Sequence, residues 1–370
     1  MKSSLLPPSA DLEDHGLQLH PALSAPQPAA GKARDNSTSV WRLLFLYAVL
    51  GALLYFALRN APLIEIWRSI AQLRLSQIGI LFLLNALVIA AMTARWWVIV
   101  HAENPGIPFL PLVRYRLAVF GLSYFTPGPQ VGGEPLQVIY LQRHHGISFA
   151  RATSAVIMDK LLEFLANFIL IAIGLTAAVR VGLISSSGIQ TSLSLIPLAA
   201  FLLWPIIHLV LLYHGRYPVS SLLRLTSPLI GSPGWVRLVI VAERMAASFT
   251  RRRLGSLLTA LGFSLVAWTG MALEYFLMAS FLNADLSLEQ TLAALTAALV
   301  AFLMPLPGGL GALEASQVYA LQAMGYAPAL GISISLIMRG RDILNGVIGL
   351  LLAGKGKRKH VAKATVSQNL

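Results

Sequence analysis

The sequence predicts an all-α integral membrane protein: about six full transmembrane helices plus two re-entrant broken hairpins, arranged as inverted repeats. Three observations carry this. Several long windows are almost free of charge, as a helix crossing a hydrocarbon core of about 30 Å requires. Only 12% of the 370 residues are charged and 56% are hydrophobic, whereas about a quarter of the residues in soluble domains are charged. Two apolar stretches also share one interruption: paired prolines, then a double glycine, then a glutamate.

Taken along the chain, residues 1–40 are polar and rich in Pro, Ala and Ser, and read as a disordered cytoplasmic tail. No basic segment followed by a short apolar one comes after Met1, so a cleavable signal peptide is not expected. Uninterrupted apolar spans fall at 41–59, 78–100, 152–182, 190–214, 255–282 and 327–353. Residues 62–76 and the 215–254 linker alternate apolar with charged residues and fit helices lying along the membrane surface. Residues 354–370 form a basic cytoplasmic tail.

If the six spans cross and the broken stretches, 107–145 and 287–325, enter and leave on one side, both termini share a side. That side collects Arg216, Arg237, Arg244, the run Arg251-Arg252-Arg253 and the lysines from Lys355 onward, while the other holds only Arg59, Arg68, Arg74 and Arg180. The crowded side is the cytoplasmic one, which predicts a multi-pass protein of the cytoplasmic (inner) membrane. The formal charge of +13 fits this bias and contact with anionic head groups rather than with nucleic acid. Cysteine is absent, which excludes disulfides and thiolate catalysis. There is no histidine pair at metal-binding spacing, no phosphate-binding glycine loop and no nucleophile elbow. Neither a metal, a cofactor nor an enzymatic site is expected.

The interruptions read "YFTPGPQVGGEPLQ" (124–137) and "LMPLPGGLGALEA" (303–315). Glu314 follows Glu134 by 180 residues, Pro307 follows Pro129 by 178, and Arg339 follows Asp159 by 180. The constant offset implies a duplicated unit, about 78–182 and 255–353, entering the membrane in opposite senses. A broken helix leaves backbone groups open, so the break must be buried in protein or line a wet cavity. Inverted repeats with broken helices at the midplane are a recurrent layout of translocation sites. Helix N-termini at such breaks attract anions. Gly128, Gly132, Gly133 and Glu134 in the first break, and Gly308, Gly309 and Glu314 in the second, are therefore candidate substrate contacts.

Ionisable residues inside spans are costly and face partners or cavities. Asp159, Lys160 and Glu163 share the third span, and Arg339, Arg341 and Asp342 the sixth. Lys160 and Glu163, three residues apart, could be only an intrahelical pair. One nearby carboxylate, Asp342, does not neutralise both Arg339 and Arg341, and arginine forks suit phosphate. Arg95 either snorkels beside Trp96 and Trp97 or faces the site. Arg114 and Arg116 flank the mouth of the first hairpin, where they could gather anionic head groups.

In "TPGPQVGGEPLQ" (126–137), "VIMDKLLEF" (156–164), "MPLPGGLGALEA" (304–315) and "LIMRGRDIL" (336–344) the chain resembles the flippase-like transmembrane family of lysylphosphatidylglycerol synthases. The resemblance spans residues 41–353. It implies movement of a polar-headed, phosphate-containing lipid between leaflets. Lysyl transfer is not implied, since the soluble aminoacyl-transferase domain of the bifunctional members is not matched. Asp159 and Lys160 stand where many relatives carry Glu and Arg. The alternatives from other classes are an intramembrane enzyme acting on a lipid phosphate, with Glu134 or Glu314 as base, and a non-transporting scaffold. Expected partners are a membrane lipid and anionic head groups, with a homodimer or a lipid-synthesis enzyme as further options.

Overall fold

The computed structural model describes residue 71 and residues 73–125, 133–184, 192–230, 234–304, 306 and 309–354. The expected first span at 41–59, both tails and most of 62–76 lie outside them. The described residues form eleven helices and no strand. The first repeat contains α1 (Leu75–Glu103), α2 (Phe109–Phe125), α3 (Glu134–His145) and α4 (Phe149–Arg180). After α5 (Ser192–Tyr213) come α6 (Pro218–Ile230) and α7 (Gly234–Arg252). The second repeat is α8 (Leu254–Phe281), α9 (Leu288–Phe302), α10 (Ala312–Ala323) and α11 (Pro328–Gly354). Each repeat is thus long, short, short, long.

Local sequence sets these boundaries. Ser148 opens α4 by accepting the Arg151 N–H. Ser287 and Gln290 cap α9 reciprocally, the Gln290 N–H donating to the Ser287 hydroxyl and the Ser287 N–H to the Gln290 side chain. Gly146, at φ +67°, ends α3 in the left-handed conformation that glycine adopts without penalty. Helices α1, α4 and α8 are long and apolar enough to cross a membrane. The 27-residue α11 is as long, but it carries Arg339, Arg341 and Asp342. Helices α3 and α10, at 12 residues each, reach only about 18 Å, too short to cross.

The two repeats run in opposite directions. Leu81 clusters with Tyr275 and Met278, Val88 with Ala267 and Met271, and Ile99 with Leu257 and Ala260. The partner's number falls as that of α1 rises, so α1 and α8 are antiparallel. Helices α2 and α9 follow the C-terminal ends of α1 and α8, and the two short-helix pairs therefore start from opposite ends of the molecule. Contacts repeat across this pseudo-two-fold: α2 packs on α11 as α9 packs on α4, and α3 on α4 as α10 on α11.

Missing side chains make these crossings close. A Cβ on Gly121 of α2 would lie 2.5 Å from the Gly346 carbonyl oxygen of α11. One on Gly349 would overlap the Leu117 backbone, and one on Gly174 of α4 would overlap Thr296 of α9. Small residues that bring backbones together are the usual device of helix packing where lipid gives no hydrophobic drive. The outer faces expose Leu83, Leu87, Leu258 and Leu265, side chains suited to hydrocarbon.

The linker forms two helices, α6 and α7. Helix α7 buries Val236, Ala242, Ala246, Ala247 and Phe249 and exposes Arg237, Arg251 and Arg252. Its buried Glu243 accepts the N–H groups of Val219 (2.9 Å) and Ser220 (2.7 Å), tying α7 to the start of α6. The close crossing gives a direct expectation. Gly121→Val overpacks the α2–α11 contact and should cost about 1–3 kcal/mol, read as a lower Tm in detergent. Gly262→Val, with open space around the new side chain, should leave Tm almost unchanged.

Candidate functional site

Two buried ion networks face each other across the repeats. In the first, α4 presents Asp159 and Glu163 one turn apart. Arg95 of α1 donates to Asp159 Oδ1 (2.7 Å) and Glu163 Oε2 (2.8 Å), and Arg116 of α2 donates to Asp159 Oδ2 (3.0 Å) and Glu163 Oε2 (3.1 Å). Two guanidinium forks thus bridge two carboxylates, in the bidentate geometry that planar groups favour. Lys160 Nζ lies 2.9 Å from Glu163 Oε1 and 3.2 Å from Glu134 Oε1 of α3. Three cations meet three carboxylates, and four helices are joined.

The second network is built on α11. Arg339 holds both oxygens of Glu314 at the start of α10, and its Nη2 also donates to the Gly309 carbonyl (3.1 Å). Glu314 in turn accepts the Gly311 N–H at 2.9 Å. Backbone groups opened by the second break are therefore satisfied by the charged pair beside it, with the Tyr124 hydroxyl of α2 next to the guanidinium. The first break is served differently, by the Gly133 N–H donating to the Ser123 hydroxyl of α2 (3.0 Å). Arg341 faces elsewhere. It donates to Glu274 Oε2 of α8 at 2.8 Å and to Asp342 Oδ1 through Nε and Nη2, both at 2.9 Å. Here two cations meet three carboxylates.

Between the networks lies a cavity of about 260 Å³, walled by α1, α2, α3, α4, α8, α9 and α11. Phe120, Phe168, Met271, Met278 and Leu299 supply apolar wall. Arg116, Glu134, Lys160 and Glu163 stand on one side, and Glu274, Arg341 and Asp342 on the other. Gln137 and Asn167 also line the cavity, and their side-chain oxygens are buried without a hydrogen-bond partner among the described residues. Such a lining can receive a head group that brings both charge and hydrogen-bond donors.

The residues singled out in the sequence are distributed as follows. Glu134, Lys160 and Arg341 line the cavity. Arg95, Asp159, Glu314 and Arg339 sit behind it in ion pairs, and Gly133 and Gly309 hold the helix breaks. Arg114 is exposed and lies apart from the cavity. Gly128, Gly132 and Gly308 lie outside the described residues. The i, i+3 spacing of Arg339 and Asp342 does not produce a pair, because Arg339 turns to Glu314, 25 residues away. Arg116 belongs to the buried network rather than only to a hairpin mouth. Sequence reading passed over Asn85, Gln137, Asn167 and Asn345. Asn167 sits one turn beyond Glu163 and Asn345 one turn beyond Arg341, and polar residues at helical spacing inside apolar spans are the signal that would have found them.

A family model described as the lysylphosphatidylglycerol synthase TM region matches residues 40–349. The chain belongs to this family. Among curated proteins it is 23% identical over 288 residues to the UPF0104 membrane protein PH1989 of Pyrococcus horikoshii, covering 73% of this chain and 83% of that protein. No solved structure matches. Family membership and the membrane-spanning helices make this an integral membrane protein with a role connected to membrane lipid.

The Glu314–Arg339 pair yields a quantitative expectation. Glu314→Ala leaves a buried guanidinium without its anion and should destabilise the fold by about 3–5 kcal/mol. Glu314→Ala combined with Arg339→Met should recover a large part of that loss, as measured by thermal unfolding of the single and double variants.

Proposed function

We propose that the chain translocates a lipid with a polar, phosphate-containing head group between leaflets, through the cavity between its repeats. The observation that carries this reading is the cavity itself: buried and half-buried charges of both signs at its sides, aromatic and aliphatic wall between them, and a volume of about 260 Å³. Drug-sized ligands occupy pockets of about 300–1,000 Å³, so this space suits a head group while acyl chains remain in lipid. Arg116, Lys160 and Arg341 are the lining cations available to a phosphate. Gln137 and Asn167 add amide polarity to the same lining.

In this reading α2–α3 and α9–α10 are re-entrant hairpins from opposite faces of the cytoplasmic membrane, and both termini are cytoplasmic. Carriage without chemistry is favoured over catalysis by Glu314, because both its oxygens are committed to Arg339 and Gly311.

Reconstitution into sealed liposomes with head-group-labelled lipids tests the proposal. Wild type should move label across the bilayer, and Lys160→Ala and Arg341→Ala should each slow it by about tenfold or more, the worth of a charge-assisted hydrogen bond. Equal rates for wild type, both variants and protein-free vesicles would overturn it. Topology is separately accessible in this cysteine-free chain. A single cysteine replacing the exposed His144 should label from the cytoplasmic face and one replacing the exposed Gln322 from the opposite face. Labelling from the same face would contradict the inverted arrangement.

A further inference from the structure

We infer that the second repeat contains a proton-binding site at Glu274, and that this proton sets the charge of the cavity. The first network is balanced, with Arg95, Arg116 and Lys160 against Glu134, Asp159 and Glu163. The second is not: Arg339 is matched by Glu314, which leaves Arg341 alone between Glu274 and Asp342. One carboxylate is in surplus where Glu274 and Asp342 are both buried, and a buried uncompensated charge is neutralised rather than tolerated.

The geometry selects which carboxylate. Asp342 Oδ1 takes two donors from Arg341. Glu274 Oε2 takes one from Arg341, and the other donor beside the carboxylate is the neutral Asn85 amide of α1, so Glu274 has the fewer charged donors. Glu274 is 1% exposed and lies in the wall of the cavity, so its carboxylate is buried in protein. A proton on Oε1 makes a neutral acid that still accepts from Arg341 through Oε2. The network then carries no net charge.

The surroundings hold no further cation for this oxygen. Helix α11 presents Arg341, Asp342 and Asn345, and α1 presents Asn85, whose oxygen accepts from the Asn345 amide at 2.9 Å while its own neutral amide serves the Glu274 carboxylate. Helix α9 lines the cavity with apolar residues such as Leu295 and Leu299. Helix α7 packs on the far end of α8, against Leu257 and Ala260. Across the cavity, Arg116 and Lys160 are held by Asp159, Glu163 and Glu134. The lining ions are then three cations against four carboxylates with Glu274 ionised, and three against three with it protonated. The proton site stands on charge balance and geometry; its control over lipid movement rests on the carrier reading above.

The test follows thermal unfolding of the full chain in detergent from mildly acidic to mildly alkaline buffer, in choline chloride and in sodium chloride. Wild type should lose several degrees of Tm towards alkaline buffer, as the surplus carboxylate gives up its proton. Glu274→Gln and Asp342→Asn each remove that surplus, so each should flatten the pH dependence and raise the alkaline Tm. Glu163→Gln, in the balanced network, should lower Tm throughout and keep the slope. A wild-type slope retained in both Glu274→Gln and Asp342→Asn would overturn the site. If sodium restored the alkaline Tm of wild type but not of Glu274→Gln, the bound ion would be a metal cation and the proton assignment would fall. No transported lipid enters these measurements, so they can fail while the carrier reading holds, and the converse.

Discussion

An interrupted helix in hydrocarbon leaves its carbonyl and N–H groups open, and the fold depends on how they are satisfied. At the second break the answer is the Arg339–Glu314 pair. Arg339 reaches the Gly309 carbonyl, Glu314 takes the Gly311 N–H, and the two side chains neutralise each other. The charges that look most expensive in the sequence are thus the groups that make the break tolerable. Because Arg339 comes from α11 and Glu314 from α10, the same pair fixes where the short helix meets the long one. The wall formed by Arg341 and Asp342 is placed from the same turn of α11.

The two repeats solve a common problem with opposite signs. At equivalent places the first has Arg95 on its opening long helix and Asp159 on its closing one, and the second has Glu274 and Arg339. In the first, Arg95 and Asp159 meet each other; in the second, Glu274 meets Arg341 and Arg339 meets Glu314, so the exchanged signs are satisfied by different partners. Exchange does not preserve the count: at the same offset Arg116, Lys160 and Glu163 become Thr296, Gly340 and Ile343, while Leu161 and Leu162 become Arg341 and Asp342. The cavity is therefore electrically lopsided although its scaffold is nearly symmetric.

Much of this was legible in the sequence because hydrocarbon imposes strict rules. Helix positions and the repeat offset follow from the scarcity of charge and from the Pro/Gly breaks, and α4, α8 and α11 fall within a few residues of the expected spans. The pairing of Glu314 with Arg339 was within reach for the same reason, as an intramembrane charge must have a partner. The remaining partners were not legible. Arg95 faces Asp159 and Glu163 rather than snorkelling, and Arg116 joins them, because helix rotation is set by close crossings such as Gly121 on Gly346. Spacing along one helix does not encode such contacts between helices, as the unpaired i, i+3 relation of Arg339 and Asp342 illustrates.

The glycine-lined crossings bear on which parts of the molecule can travel together. Helix α2 is locked to α11 of the other repeat through Gly121, Gly346 and Gly349, and α9 to α4 through Gly174 and Thr296. The tightest seams therefore run between the repeats rather than within them. A displacement that treated each repeat as one rigid body would have to tear both seams. Kinematically the natural pieces are the exchanged couples, α2 with α11 and α4 with α9, pivoting on the antiparallel α1–α8 axle. Under the carrier reading proposed above, opening the cavity to one leaflet would be a scissoring of interlocked halves, in which the polar groups of both halves change their spacing at the same moment.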